Sequence, residues 1–194
     1  MATKLTELSA INIMLSNIGQ APVTAVDSTN PMIGLAKSIL DEVSNAVQSE
    51  GWVFNTEDHY PFSPSNGSIT IPTDIISFDI SRYSQKNVIL RDGKLYDKEK
   101  HENVNEDVEL DVVWLFSFMD LPEAFKHYIA IRAANLFAGR SIGSQEAVKY
   151  SEREEAYARA SAIEYETQQG DYSLLSNHKG EHIQTYSPFN TISR

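Results

Sequence analysis

Apolar residues recur at helical spacing near both ends of the chain and alternate with polar ones between them. The stretch from Leu121 to Gln169 predicts two consecutive helices joined by a Gly-containing turn. Asp120 is placed to cap the first, and Pro122 suits its opening turn, where a missing N–H costs nothing. Phe125, Tyr128, Ile129, Ala133, Leu136 and Phe137 then fall on one face. Gly139 and Gly143 punctuate the turn. The second helix, from about Ser144 to Gln169, spans roughly 39 Å at 1.5 Å per residue. Ala147, Val148, Ala156, Ala160 and Ile163 give it a thin apolar line, and Gly170 is its natural stop. So long a helix with so slim a face needs a neighbour, in the same chain or in another subunit.

The N-terminal half opens with another helical pair. Thr6 or Thr3 caps a helix running to about Asn17, with Leu8, Ile11, Leu15 and Ile18 on its apolar face and Gly19 at its end. A linker from Gln20 to Asn30 follows. Asn30-Pro31 starts a second helix that reaches about Ser49. Met32, Leu35, Ala36, Ile39, Leu40, Val43 and Val47 make its wide apolar stripe.

Gly51 breaks that helix, and the period changes. Trp52, Val53 and Phe54 read as the start of a strand. Ile69-Thr70-Ile71, closed by Pro72, and Ile75 to Ile80 read as two more. Asn87 to Leu90 and Leu95-Tyr96 flank Arg91-Asp92-Gly93-Lys94, a hairpin signal, because both central residues of a type I′ turn need positive φ. Glu99 to Asp107 is a charged loop. Val108 to Phe116 is the longest predicted strand, with Leu110, Val112, Trp114 and Phe116 on one side. About five short strands thus lie between two helical pairs. The fold class is α+β: a four-helix bundle drawn from both chain ends (5–50 and 121–170), a β-rich insert (52–118) and an extended C-terminal tail (171–194). The tail is polar and carries only isolated apolar anchors such as Leu174, Phe189 and Ile192, too few for a core of its own.

Composition narrows the function. The formal net charge of −11 would repel nucleic acid phosphates and argues against tight DNA binding. The chain has no cysteine, which excludes disulfides, Cys-ligated zinc and thiol catalysis. Its N-terminus lacks a secretory apolar region and no run is long enough to span a bilayer, so the chain is expected to be soluble and made in a cytoplasm.

No phosphate-cradling Gly loop, Gly-x-Ser-x-Gly elbow or His-Glu-x-x-His is present. His178 and His182 stand four apart, but Gly180 lies between them in a segment read as non-helical, which argues against a shared metal. His59 and His127 stand alone. Glu152, Glu154, Glu155, Glu164 and Glu166 offer the raw material of a glycosidase carboxylate pair. Interleaved with Arg153 and Arg159, they read more simply as a solvated, ion-paired helix face. Trp52, Phe54, Tyr60 and Phe62 are of the type that stacks on sugars, and equally of the type that builds a core. No catalytic, cofactor-binding or metal-ligating residue is assigned, and no cofactor is expected.

Three segments together resemble a known family. Glu7-Leu8-Ser9-Ala10-Ile11-Asn12 with Leu15-Ser16-Asn17-Ile18-Gly19-Gln20-Ala21-Pro22-Val23 is similar to the N-terminus of the tail tubular protein A family of short-tailed phages. Gln48-Ser49-Glu50-Gly51-Trp52-Val53-Phe54-Asn55 resembles its helix-to-strand junction, where a basic residue often replaces Glu50. Leu121-Pro122-Glu123-Ala124-Phe125-Lys126-His127-Tyr128-Ile129, with Ala133, Ala134 and Phe137, resembles the start of its third helix. The β insert and the tail carry no such match.

The resemblance implies a structural virion protein: an adaptor, or gatekeeper, that forms a dodecameric ring beneath the portal protein and seats the tail nozzle, tail tubular protein B. Genomic DNA passes through the ring without specific binding, no membrane is involved, and the family brings no catalytic residues to transfer. The expected location is the virion tail, after assembly in the host cytoplasm. In such a ring the acidic balance implies a lumen lined mainly by Asp and Glu, along which DNA slides without sticking. The competing reading is a tail-associated glycan hydrolase using a Glu/Asp pair.

Overall fold

The computed structural model describes residues 4–27, 29–80, 87–141 and 145–170, with side chains from 152 onward in the last of these stretches. The Thr6 hydroxyl accepts the Ser9 N–H and caps α1 (Glu7–Asn17), and the Asn30 side chain accepts the Met32 N–H ahead of Pro31 to cap α2 (Pro31–Gln48). Each cap supplies a partner for a backbone N–H that the helix itself leaves unpaired. α3 (Glu123–Ser141) and α4 (Gln145–Gly170) complete the helical part.

α3 is the central helix and packs against α1, α2 and α4. Phe125, Tyr128, Ile129, Ala130, Ala133, Ala134 and Phe137 are buried on it, and they join residues of the other three helices in one core. Each large apolar side chain so buried contributes about 1.5–3 kcal/mol. Small residues let the helices approach: Ala10 on α1, Ala36 on α2, and Ala158 and Ala162 on α4 are all buried there.

Among the described residues six short strands lie between the helical pairs, where the pattern predicts about five. β1 (Thr56–Phe62), β6 (Val108–Trp114) and β2 (Ile75–Ile80) form one antiparallel sheet in that spatial order. β3 (Val88–Arg91), β4 (Lys94–Asp97) and β5 (Glu102–Asn103) form the other. The sheets share a second core of Phe62, Ile69, Ile71, Leu95, Val104, Val108, Leu110 and Val112. The predicted hairpin is present: Asp92 and Gly93 take φ of 50° and 72°, and Arg91 pairs with Lys94 across the turn.

Several expectations are corrected. Asp120 does not cap α3. It closes a 3-10 turn (Phe118–Asp120), where its carboxylate accepts the Ser117 hydroxyl. Leu121 is extended, as a residue before proline prefers, so the helix starts only after Pro122. α3 also runs through Gly139 instead of stopping there. Gly143, the side chains of Ala147 and Val148, and the predicted tail with His178 and His182 lie outside the described residues.

On α2, Ile33 is buried while Met32 and Leu35 face solvent at 39% and 43% exposure, because the apolar stripe is wider than the contact with α1 and α3. On α4 the expected line finds no neighbour among the described residues of the chain. Ala156, Ala160 and Ile163 are exposed, and the inward face is Ala158, Ala162 and Tyr165, two residues out of phase and so about 200° round the helix.

Trp52, Val53 and Phe54 form a turn instead of a strand, with β1 beginning at Thr56. Ile69–Ile71 makes a single bridge, Thr70 to Lys94, with the Leu95 N–H donating to Ile69 and the Ile71 N–H to Gly93. Pro72 removes the donor that would extend it. The charged loop contains β5, and β6 stops at Trp114, two residues short.

The turn at 52–55 joins the two cores through buried side-chain amides. Gln48 is fully buried; its Nε2 donates to the Phe116 carbonyl at 3.0 Å and its Oε1 accepts the Phe116 N–H at 2.8 Å. Asn55, also buried, donates from Nδ2 to the carbonyls of Gln48 (3.0 Å) and Trp114 (2.9 Å) and accepts the Trp52 N–H at 2.8 Å. Gly51, at φ 73°, turns the chain here with Val113 only 3.7 Å from where a Cβ would stand. Asn55→Ala is therefore expected to cost about 3 kcal/mol, since it removes the side-chain partner of the Trp52 N–H and the Trp114 carbonyl and one of the two donors to the Gln48 carbonyl. Asn55→Asp, which turns a carboxylate toward two carbonyl oxygens, costs more. Urea unfolding of both variants against the parent checks the order.

Candidate interaction surfaces

Three of the charged residues of α4 that suggested chemistry, Arg159, Glu155 and Glu166, are engaged in tying that helix to the rest of the chain. Arg159 donates from Nη1 and Nη2 to the two carboxylate oxygens of Glu50 at 3.1 and 2.8 Å, and from Nη1 to the Tyr128 hydroxyl at 2.9 Å. Glu50 first, and Tyr128 second, raise the guanidinium pKa above its ordinary value. Arg132 donates to the same hydroxyl at 3.0 Å and lies 3.6 Å from Glu50 and 3.7 Å from Glu155. Asn135 donates to Glu155 at 2.9 Å. Half-exposed pairs of this kind are each worth at most about 1 kcal/mol. Their geometry nonetheless fixes the rotation of α4 on α3.

Of the other carboxylates, Glu166 accepts the Val53 N–H at 2.8 Å and ties α4 to the 52–55 turn. Glu152, Glu154 and Glu164 are exposed. Two carboxylates do line one hollow, of about 300 Å³: Glu42 and Glu155. Both are held by arginine, and the two hydrogen bonds from Arg140 to Glu42, at 2.7 and 2.9 Å, keep Glu42 below the usual carboxylate range. A general acid needs the opposite shift, so this arrangement gives the glycosidase reading no support. Among the described residues no group of three His, Cys, Asp or Glu could hold a metal ion. His59 lies beside Glu109, its Nδ1 3.5 Å from that carboxylate, and His127 lines a second hollow with a single carboxylate, Glu154.

The aromatics divide between the two cores. Trp52 and Phe54 pack on Phe125 with ring centres 4.8 and 4.7 Å away. Tyr60 packs on Phe62 and Trp114 in the sheet at 5.1 and 5.3 Å. Trp52, Phe54 and Phe62 make core contacts, Tyr60 is 36% exposed on the sheet, and none of the four lines the hollows just described.

α4 presents Ala156, Ala160 and Ile163 outward, with Tyr157 beside them at 62% exposure and Ile163 at 45%. Tyr157 also borders the second hollow, about 410 Å³, whose other walls include Ala124, Ile131 and Ala158 between α3 and α4. Large exposed apolar patches mark contact surfaces, which makes this strip beside an apolar hollow a candidate for one. No helix among the described residues is long and apolar enough to cross a membrane. The periodicity revealed the strip's residues and left open whether their neighbour lies in the same chain or in another subunit.

Two comparisons with known proteins bear on what such a surface meets. A family described as tail tubular protein matches residues 8–172. The chain is also similar to Tail tubular protein A of Klebsiella phage KP34, with 30% identity over 154 residues, 78% of this chain and 82% of that protein.

The Arg140–Glu42 pair joins α3 to α2 and depends on pH. Because the folded-state pKa of Glu42 is lowered, its contribution is complete above the ordinary carboxylate range and is lost as pH falls through the lowered value. Glu42→Gln is thus expected to melt below the parent at neutral pH, and the gap is expected to close at acid pH as Glu42 is protonated through its lowered value. Thermal unfolding at the two pH values measures this.

Proposed function

The chain belongs to the tail tubular protein family and is a structural component of a phage tail, and from that premise we propose that it is the adaptor ring between portal and tail nozzle. In this reading twelve copies surround the DNA channel, with portal on one side and tail tubular protein B on the other. The division of labour follows the chain: residues 5–50 and 121–170 build the helical part, 52–118 the sheet insert, and 171–194 a strap along a neighbouring copy or the portal.

The observation that carries this reading is the outer face of α4. A helix of 26 residues uses Ala158, Ala162 and Tyr165 for its own core and leaves Ala156, Tyr157, Ala160 and Ile163 uncovered. A ring provides each copy with two neighbours through a repeated heterologous contact that closes by rotation, which covers such a face on every subunit. The acidic composition fits a channel that repels phosphate.

Tyr157→Asp with Ile163→Asp is expected to leave the melting temperature of the free chain nearly unchanged, since exposed substitutions shift stability by about 0.5 kcal/mol or less. The same pair abolishes ring formation when chain and portal are mixed and imaged by electron microscopy. Rings of normal stoichiometry from the variant would remove the observation on which this reading stands. Deleting residues 181–194 is expected to weaken ring formation or portal capture, and equal behaviour in both assays excludes the strap.

A further inference from the structure

Positive charge is concentrated in one place in this acidic chain. Six of its 16 Lys and Arg residues fall within residues 82–100, against three of its 27 Asp and Glu. The hairpin of β3 and β4 displays part of that charge on one face. Leu95 and Asp97 are buried beneath it, so the alternation of β4 places Lys94 and Tyr96 on the outer side, paired with Arg91 and Ile89 of β3. Arg91 and Lys94 stand directly opposite each other, and the Arg91 guanidinium lies 3.9 Å from the centre of the Tyr96 ring.

The other sheet shows the inverse. On β6, Leu110 and Val112 are buried and Asp111 points to the opposite side, where its cross-strand partner on β2 is Asp79. Glu109 lies on the same side of β6, with His59 next to it. Asp79 accepts the Ile80 N–H and Asp111 the His59 N–H, both at their Oδ1 atoms. Among the described residues none of Asp79, Asp111, Arg91 and Lys94 forms an ion pair.

Like charges directly opposite on one sheet face destabilise the pairing. This chain carries two such pairs, of opposite sign, on its two sheets. One cationic pair alone would suit any anion, DNA phosphate included. Two pairs of opposite sign on one chain match each other, and the partner that presents both is a second copy. We infer that the Arg91/Lys94 face of one copy docks on the Asp79/Asp111 face of the next, a head-to-tail contact that orients neighbours in the assembly. Arg91, pre-stacked on Tyr96, offers its planar guanidinium to a carboxylate at little entropic cost. The inference rests on the ring reading above and adds to it which sheet faces meet.

The test uses the full chain, alone and with portal, and reads particle mass by light scattering. Arg91→Glu with Lys94→Glu, and separately Asp79→Lys with Asp111→Lys, are each expected to weaken association about tenfold or more, because each sets like charges face to face. Mixing the two variants restores it: the reversed hairpin of one meets the reversed sheet of the other, and the unaltered faces match as before. Asp79→Asn with Asp111→Asn keeps both Oδ1 acceptors, so it stabilises the free chain and still weakens association. That opposite sign separates docking from folding and stands in if the lysine variant does not fold. Association of the parent with no response to these variants overturns the inference and leaves the ring reading intact. No association of the parent, even with portal, overturns both. Loss of duplex DNA binding by the hairpin variant with assembly unchanged assigns the face to phosphate and overturns the docking.

Discussion

Two buried amides govern this molecule. Where α2 gives way to the sheet at 52–55, and where β6 returns toward α3 at 115–117, the backbone is neither helix nor strand. Its polar groups have no ladder to join and must still be paired once buried. Gln48 supplies both a donor and an acceptor to Phe116, and Asn55 pairs Trp52, Gln48 and Trp114. Both crossings between the cores are therefore held by side chains that cannot be exchanged for apolar ones without stranding backbone groups. The Trp52 indole N–H, bonded to the Val47 carbonyl at 2.6 Å, adds a third tie and turns its ring into the helical core against Phe125.

That junction sets what the rest of the chain can do. With Trp52 and Phe54 seated on Phe125, α3 is committed to the centre, and α4 must lie where Glu166 reaches the Val53 N–H and Arg159 reaches Glu50. The rotation of α4 follows, and with it the placement of Ala156, Tyr157 and Ile163 outside. Exposure of the strip is thus a result of the same contacts that stabilise the helices. It does not record a helix that failed to find its place.

The helices were largely legible because their signals are local. Thr6, Asn30-Pro31 and the face from Phe125 to Phe137 announce α1, α2 and α3 through caps and period, and Asp92-Gly93 announces the hairpin through positive φ. What escaped depends on distant partners. β1 reads Thr-Glu-Asp-His-Tyr-Pro-Phe, with little alternation, because a bulge between Glu57 and Tyr60 puts His59 at φ 59° and only Phe62 is buried. The inward face of α4 is made of two alanines and a tyrosine. By hydrophobicity it cannot be told from the outward face of two alanines and an isoleucine, and the Arg159–Glu50 tie decides between them. Gln48 and Asn55 look like ordinary polar residues until the strands they bind are in place. The Asp79–Asp111 pair needs the β2–β6 register, which itself shifts between Ile75 and Ser77.

Folding and assembly therefore draw on different residues. The buried amides, the α3 core and the polar tie on α4 hold one chain together; the strip on α4 and the like-charged pairs on the sheets lie outside both cores. Each like-charged pair costs an isolated chain roughly 0.2–1 kcal/mol, a tolerable debit against a domain stability of about 5–15 kcal/mol. In contact with a complementary face the same repulsion is relieved at both sheets, so the gain on docking exceeds that of neutral surfaces of equal area. In the docking inferred above, these faces repel within each copy and attract between copies set in one orientation.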